Sequence, residues 1–146
     1  SLNTILNYSK DYEINFLIEN NVLSSENYNS EINPLFCCDG EEILNVFKDL
    51  KNPYLGLLLD TAHLKVSCNT LNLNLEKEYG KIKHLIKGIH HSDNDGLVDD
   101  NQSLSKDYWF LKHVKEFKKI VHVIEVKNMN IEQINNQVKL LFKKHE

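Results

Sequence analysis

Four short apolar runs recur along the chain, and an ionisable side chain follows each of them. The runs span residues 14–18, 55–59, 86–89 and 120–124, and the residues that follow are Glu19, Asp60, His90 and Glu125. Short, mostly apolar runs are typical of strands that are buried on both faces, and the run over 55–59 is the one without a polar residue. The pattern therefore predicts four strands, each of which ends at a side chain that can bind a metal or transfer a proton.

Helical patterns lie between these strands. Asp39-Gly40-Glu41-Glu42 predicts a helix start, because acidic residues suit the positive end of a helix dipole. Further helices are predicted over residues 2–12, 76–85, 108–118 and 131–142, whereas residues 64–75 and 92–105 are predicted as connections. Alternating strands and helices favour an α/β fold with a parallel sheet and right-handed crossovers. Sites in such folds lie at the carboxyl ends of the strands, where the four ionisable side chains are expected.

Composition narrows the class of protein. The chain has 146 residues, 41% of them hydrophobic, which is enough for one domain with a sizeable core over residues 1–146. The net charge is −4 and all 17 basic residues are Lys, which counts against nucleic acid as a partner because phosphate recognition favours Arg. No apolar stretch is long enough for a membrane span, and no signal peptide is visible. The number of cysteines is odd, which favours free thiols over disulfides at Cys37, Cys38 and Cys68. We therefore expect a cytoplasmic protein without a membrane partner.

Glu19, Asp60, His90 and Glu125 together form an oxygen-rich set with a single imidazole. Such a set suits a divalent cation such as Mn²⁺, Co²⁺, Mg²⁺ or Zn²⁺. A metal of this kind polarises the oxygens of a bound sugar and stabilises the enediolate that forms when a proton leaves the carbon next to a carbonyl. Glu19 and Glu125 come from strands far apart in sequence, so they could remove and return that proton on opposite faces.

Four segments carry a resemblance to a known family: INFLIENN (14–21), LLLDTAHLKVS (57–67), GIHHSDNDG (88–96) and VIEVKN (123–128). In this order they resemble the C-terminal half of the xylose isomerase-like TIM barrels. That superfamily includes sugar isomerases, ketose 3-epimerases, inosose dehydratases and apurinic nucleases of the endonuclease IV type. Its fifth to eighth strands carry a Glu, an Asp-x-x-His, a His-x-x-Asp and a Glu. The resemblance implies a half-barrel of about four βα units.

The resemblance also implies roles for individual residues. Glu19, Asp60, His90 and Glu125 resemble the shared metal ligands, and the two glutamates resemble the acid/base pair of the epimerases. His63 resembles a histidine that contacts substrate in epimerases and a second metal in the nuclease, and Asp93, which closes the His-x-x-Asp motif, is likewise assigned to substrate binding. The implied function is a sugar phosphate isomerase or epimerase that acts on a small sugar or sugar phosphate.

The sequence departs from the family pattern at Asn101 and at His91. Nuclease-type members carry an Asp-x-His after the seventh strand, but Asn101 stands here where the His would be, and Asn is a poor zinc ligand. With no Arg in the chain, an apurinic endonuclease-like repair enzyme is the lesser alternative. His91 stands where the family usually has an apolar residue, and we expect it to face the helices.

Length is the largest departure. A complete TIM barrel needs about 250 residues, so this chain supplies only half of one, with two open sheet edges and an uncovered apolar inner face. The favoured explanation is a fragment whose N-terminal half is missing. The alternatives are a half-barrel completed by another chain and a short protein in which two copies pair. We expect self-association in each case and no activity from the isolated chain; a catalytically idle interaction module remains an alternative function.

Overall fold

A computed structural model describes residues 2–28 and 33–142 of the chain. None of the helices in these two ranges has the length and apolar composition that a membrane crossing demands. Two short 3₁₀ helices, Lys83–Leu85 and Val114–Phe117, accompany the regular elements. The regular elements are α1 (Leu2–Asp11), β1 (Phe16–Glu19), α2 (Gly40–Leu50), β2 (Leu55–Asp60), α3 (Thr61–Thr70), α4 (Leu75–Ile82), β3 (Ile86–His91), β4 (Val121–Ile124) and α5 (Ile131–Phe142).

The four strands form one parallel sheet in the order β1-β2-β3-β4. In its register Glu19 pairs with Leu58, and Asp60 pairs with His90. Each strand reaches its neighbour through a helical or turn-rich crossover, as parallel pairing requires. The predicted α/β class with four parallel strands is confirmed.

One face of the sheet carries the hydrophobic core. Leu57, Leu59 and Ile89 are fully buried there against the helical layer, together with Ile43 of α2 and Phe110. The core therefore lies between the sheet and its crossovers. Cys37, Cys38 and Cys68 are buried free thiols.

The opposite face, called here the inner face, is lined by Leu17, Gly56, Leu58, Gly88, Val121 and Val123. A Cβ at Gly88 would lie 2.9 Å from Leu17 Cδ1 and 3.0 Å from Leu58 Cδ1, so glycine lets these side chains cross the sheet. Val121, the partner of Gly88 in β4, is 66% exposed. No residue in the described ranges therefore covers the β4 side of the inner face.

Residues 61–70 form helix α3, so the predicted connection over 64–75 was wrong. The Asp60 side chain caps this helix by accepting a hydrogen bond from the His63 backbone N–H at 2.8 Å. A helix that is buried on most sides lacks the polar face that makes a helical pattern recognisable. The buried residues of α3 are Thr61, Ala62, Leu64, Val66, Ser67 and Cys68.

Residues 108–118 form turns and a short 3₁₀ helix, so the helix predicted there was also wrong. Tyr108 and Phe110 are both buried on the core side although they are two positions apart. An α-helix would direct such a pair to nearly opposite sides. The chain therefore takes a turn conformation that buries both rings. The helices expected over 2–12 and 131–142, and the helix start expected at 39–42, hold to within two residues.

Candidate metal centre

The four predicted ligands lie at one edge of the sheet because all four strands are parallel. Glu19, Asp60 and His90 lie within β1, β2 and β3 at or near their carboxyl ends. Glu125 follows β4 directly, and its N–H donates to the His91 carbonyl at 2.9 Å, which extends the β3–β4 pairing by one residue. Strand register thus fixes the backbone of all four residues.

The side chains of the four residues converge on the ring of His90. Its Nδ1 lies 2.8 Å from Glu125 Oε2, 3.1 Å from Glu19 Oε1 and 3.9 Å from Asp60 Oδ2. One ligand atom from each residue lies within 4.8 Å of all the others. The structure therefore brings the predicted quartet together, and its role as a metal site stays a prediction.

Asp60 is the buried member of the quartet, with 1% of its side chain exposed. Burial raises the pKa of Asp60 to about 6, although the charge of His63 acts to lower it. Its backbone is held by Asn20, whose side chain donates to the Asp60 carbonyl at 3.0 Å and accepts from the Asp60 N–H at 2.8 Å. One carboxylate oxygen caps α3, so the other, Oδ2, is left to face the quartet.

His63 lies beside the quartet, 4.0 Å from Glu19 Oε1 and from Asp60 Oδ2. Its Nδ1 donates to the Asn20 carbonyl at 2.8 Å, and its Nε2 lies 3.2 Å from Asp99 Oδ2. Burial acts to lower the pKa of His63, but the Asp99 hydrogen bond and the Asp60 charge outweigh it and raise the pKa to about 9. The same hydrogen bond holds the pKa of Asp99 below its usual value.

Asp93 lies outside the converging quartet. Its Oδ1 accepts from Lys65 Nζ at 2.7 Å and from the Asn94 N–H at 2.9 Å. Lys65 Nζ also contacts the Asn94 carbonyl, and the Asp93 backbone pairs with Gln102 across an isolated bridge. Its predicted contact with substrate remains a prediction, and the observed side chain is engaged in holding the loop.

Asn20 and Asp99 are neighbours of the quartet that were not predicted as site residues, although Asp99 stands at the Asp position of the nuclease-type Asp-x-His motif. Asn20 is fully buried, and the only local signal for it is a polar residue directly after the end of β1. Asp99 lies in the polar loop after β3, and its Oδ1 and Asn101 Oδ1 are buried atoms without a protein hydrogen-bond partner. Their contacts join residues more than thirty positions apart in sequence, which a local pattern does not reveal.

His91 faces the helical layer, as predicted for it, and is fully buried. Its ring bonds Tyr108 Oη at 2.9 Å and His122 Nδ1 at 2.8 Å. Burial, together with the charges of His122 and His90, lowers the pKa of His91 to about 3. His90 and His91 thus point to opposite faces of β3, and only His90 belongs to the candidate site.

The quartet fits a divalent cation by its donor chemistry. Three carboxylates around one imidazole nitrogen suit Mn²⁺, Co²⁺, Mg²⁺ or Zn²⁺, and the set gives no reason to choose among them. The buried carboxylate of Asp60 provides a second reason, since burial opposes its ionisation and a nearby cation would favour it. The residues present therefore suit a metal at this edge of the sheet.

Solved structures with the same fold were found, although no protein-family model and no curated protein matches the sequence. A D-tagatose 3-epimerase-like protein superposes with a TM-score of 0.71 at 20% identity, over 96% of this chain and 50% of its own. A Thermus thermophilus protein, soaked with ZnCl₂, gives 0.64 at 16% identity, over 94% and 48%. The probable 3-DHS dehydratase involved in petrobactin synthesis in Bacillus anthracis gives 0.66 at 11% identity, over 98% and 55%.

The chain has the fold of half a TIM barrel. It spans about half the length of the solved structures it matches. The resemblance drawn from the four motifs is therefore confirmed for the fold. That the four strands of this half-barrel correspond to the fifth to eighth stays a prediction.

Proposed function

We propose that this half-barrel is part of a metal-dependent sugar or sugar phosphate isomerase or epimerase, which moves a proton at the carbon next to a carbonyl. The observation that carries the proposal is the convergence of Glu19, Asp60, His90 and Glu125 within 4.8 Å at the carboxyl ends of the strands. The D-tagatose 3-epimerase-like neighbour supports a sugar substrate, and the dehydratase neighbour shows that this fold hosts more than one reaction.

Exposure divides the quartet into two kinds of residue. Asp60 is buried and would only hold the cation, with His90 beside it. The side chains of Glu19 and Glu125 are 38% and 47% exposed, so each could present a carboxylate oxygen to a substrate. When bound, the cation would polarise the substrate carbonyl and stabilise the charge that develops as the neighbouring carbon loses its proton.

The two glutamates approach His90 Nδ1 from the outermost strands of the sheet, β1 and β4. A substrate carbon between them would present one face to each carboxylate. One glutamate would then remove the proton as general base, and the other would return a proton to the opposite face, which inverts the centre. Return by the same glutamate to the neighbouring carbon would instead give isomerisation.

Metal binding provides the first test. We expect the chain to bind about one equivalent of Mn²⁺ or Co²⁺ in calorimetric titrations, and Glu19→Gln and Glu125→Gln each to weaken binding at least about tenfold. Glu26→Gln, at an exposed turn residue, is the matched control and should bind like the wild type. Unchanged metal binding in both site variants would refute the proposal.

Solvent exchange provides the chemical test. In an assembly that contains the covering strands, proton transfer next to a carbonyl should wash deuterium from D₂O into a ketose at that carbon, which NMR detects even when net conversion is slow. A panel of ketohexoses and their phosphates would identify the substrate class. Exchange that persists in the double variant Glu19→Gln/Glu125→Gln would exclude the two glutamates as acid and base.

We also propose that the active form contains further strands that cover the inner face, since Val121 and Val123 lie exposed on it. The mass in solution, measured by light scattering, separates the possibilities. A dimer that binds metal and turns over sugar would indicate two paired half-barrels, and an inactive metal-binding monomer would indicate a missing half. A metal-free dimer would instead favour the idle interaction module.

A further inference from the structure

The loop after β3, residues 92–105, is tied to α3 by side chains of that helix. His63 reaches Asp99 with an Nε2–Oδ2 distance of 3.2 Å. Lys65 Nζ pairs with Asp93 Oδ1 at 2.7 Å and also contacts the Asn94 carbonyl. Within the loop, Asp93 and Gln102 exchange backbone hydrogen bonds of 2.8 and 3.0 Å. Helix α3 thus holds the loop at two places, at Asp93 and Asn94 through Lys65 and at Asp99 through His63.

Both ring nitrogens of His63 are occupied by protein. Nδ1 must carry a hydrogen, because its partner at 2.8 Å is the carbonyl of Asn20, which can only accept. Nε2 shares the other hydrogen bond with the Asp99 carboxyl group. Whether His63 Nε2 or Asp99 Oδ2 carries the proton between them, His63 has no ring nitrogen left for a sugar hydroxyl.

We propose that His63 is a positioning residue and that Asp99 holds it in place. Its ring joins the chain after β1, at Asn20, to the loop after β3, at Asp99, while its own backbone belongs to α3 after β2. This assignment differs from the substrate contact that the family resemblance implies for His63.

The contacts of the His63 ring with Asn20 and Asp99, called here the His63 bridge, reach the quartet through Asp60. The backbone N–H of His63 holds Asp60 Oδ1 at 2.8 Å, which leaves Asp60 Oδ2 to face His90 Nδ1. A shift of the α3 backbone at His63, which the ring contacts with Asn20 and Asp99 oppose, would therefore turn the one buried carboxylate of the quartet. Metal affinity follows from that orientation, so this part of the inference rests on the proposed function.

Hydrogen exchange tests the bridge without any metal. In the metal-free chain, we expect His63→Ala and Asp99→Ala each to speed exchange of the Gln102 and Lys127 amides about tenfold, because these amides bond the loop at Asp93 and Asn101. The double variant should exchange no faster than His63→Ala, since the contact between His63 and Asp99 is already absent in that single variant. Exchange in Asp99→Ala that stays within about twofold of the wild type would overturn the proposal.

Matched variants guard against a general loss of folding. Asp100→Ala removes only an exposed contact with the Gln102 side chain in the same loop, and should leave exchange unchanged. Asp99→Asn keeps an acceptor oxygen in place and should retain exchange within about threefold of the wild type. Equal acceleration in Asp100→Ala and Asp99→Ala would mean that any change in the loop has this effect, and would refute a specific role for Asp99.

Titration with Co²⁺ alone tests the consequence for the quartet. We expect Asp99→Ala and His63→Ala each to weaken Co²⁺ binding about tenfold, with no further loss in the double variant, and to change the visible spectrum of the bound ion in the same way. A second equivalent of Co²⁺ that disappears in Asp99→Ala would overturn the proposal, because the pair would then be a metal site. If the wild type binds no Co²⁺, the proposed function fails, and the amide hydrogen exchange alone then decides whether Asp99 holds His63 in place.

Discussion

Asp60→Asn should make the metal-free protein more stable while it weakens the metal site. Asp60 is 1% exposed, and burial raises its pKa from 3.8 to about 6. The folded state therefore prefers the protonated form, and the stability that this preference provides is full below about pH 4 and is lost as the pH rises through about 6. Above that pH, the ionised carboxylate destabilises the fold by up to about 3 kcal/mol.

Asparagine removes that charge and keeps the local hydrogen bonds. Its side-chain oxygen can still accept from the His63 N–H and cap α3, since Asn and Asp are similarly good capping residues. His63 keeps its closer partner, Asp99 at 3.2 Å, and its attraction to the Asp60 charge at 4.0 Å is already contained in the raised pKa of Asp60. We expect a net stabilisation of about 1–3 kcal/mol near pH 7.5.

Urea denaturation with EDTA present measures this difference. The gain should fall to about a third of its value near pH 4.5, where most of the Asp60 carboxyl in the folded protein is protonated. Asp107→Asn, at an exposed site, is the control and should change stability by less than about 0.5 kcal/mol. With saturating Co²⁺ the order should reverse, because only the wild type keeps all four ligands. A variant that is less stable than the wild type in EDTA near pH 7.5 would refute this reasoning.

Three further predictions concern residues that support the site from the helical side. The pKa of His91 lies at about 3 in the folded protein, so His91 takes up a proton on unfolding, and the free energy of unfolding should fall by about 2 kcal/mol as the pH drops from about 6.5 to 5. In thermal denaturation, His91→Gln should remove this loss of stability, whereas the control His84→Gln should retain it. Asp39→Ala removes the acceptor for the Glu41 and Glu42 N–H groups and should cost about 1 kcal/mol in urea, whereas Asp39→Asn should cost little. Phe110→Ala should cost about 3–5 kcal/mol because the ring is fully buried, and a loss under about 1 kcal/mol would contradict the packing.

The strand ends could be predicted from sequence because the pattern that marks them is local. A run such as residues 55–59 is apolar at every position, so it identifies a strand buried on both faces, and Asp60 is simply the next residue. Parallel pairing then places Glu19, Asp60, His90 and Glu125 at one edge without further information. Local order along the chain was therefore sufficient to predict the quartet.

The missed features share a different physical cause, since each depends on contacts that only the folded chain makes. Helix α3 is buried on several sides, so it carries no polar face that a periodicity could reveal. Tyr108 and Phe110 give up helical geometry because both rings pack into the same core. Asn20 and Asp99 are polar residues in polar segments, and only their distant partners give them importance.

The quartet takes its four candidate ligands from three of the described strands and from Glu125, the residue directly after β4, and this separates metal binding from turnover. Strand pairing sets the backbone of each ligand, so the binding of a cation needs no further part of a barrel. A sugar has different requirements, because it must be enclosed on several sides to exclude water and to align its reacting carbon between two carboxylates. Val121 and Val123 are exposed to solvent on the inner face, so the described strands would enclose a sugar on one side only. Under the proposed function we therefore expect metal affinity without sugar turnover in this chain, and we expect added covering strands to bring turnover while they leave the metal affinity nearly unchanged.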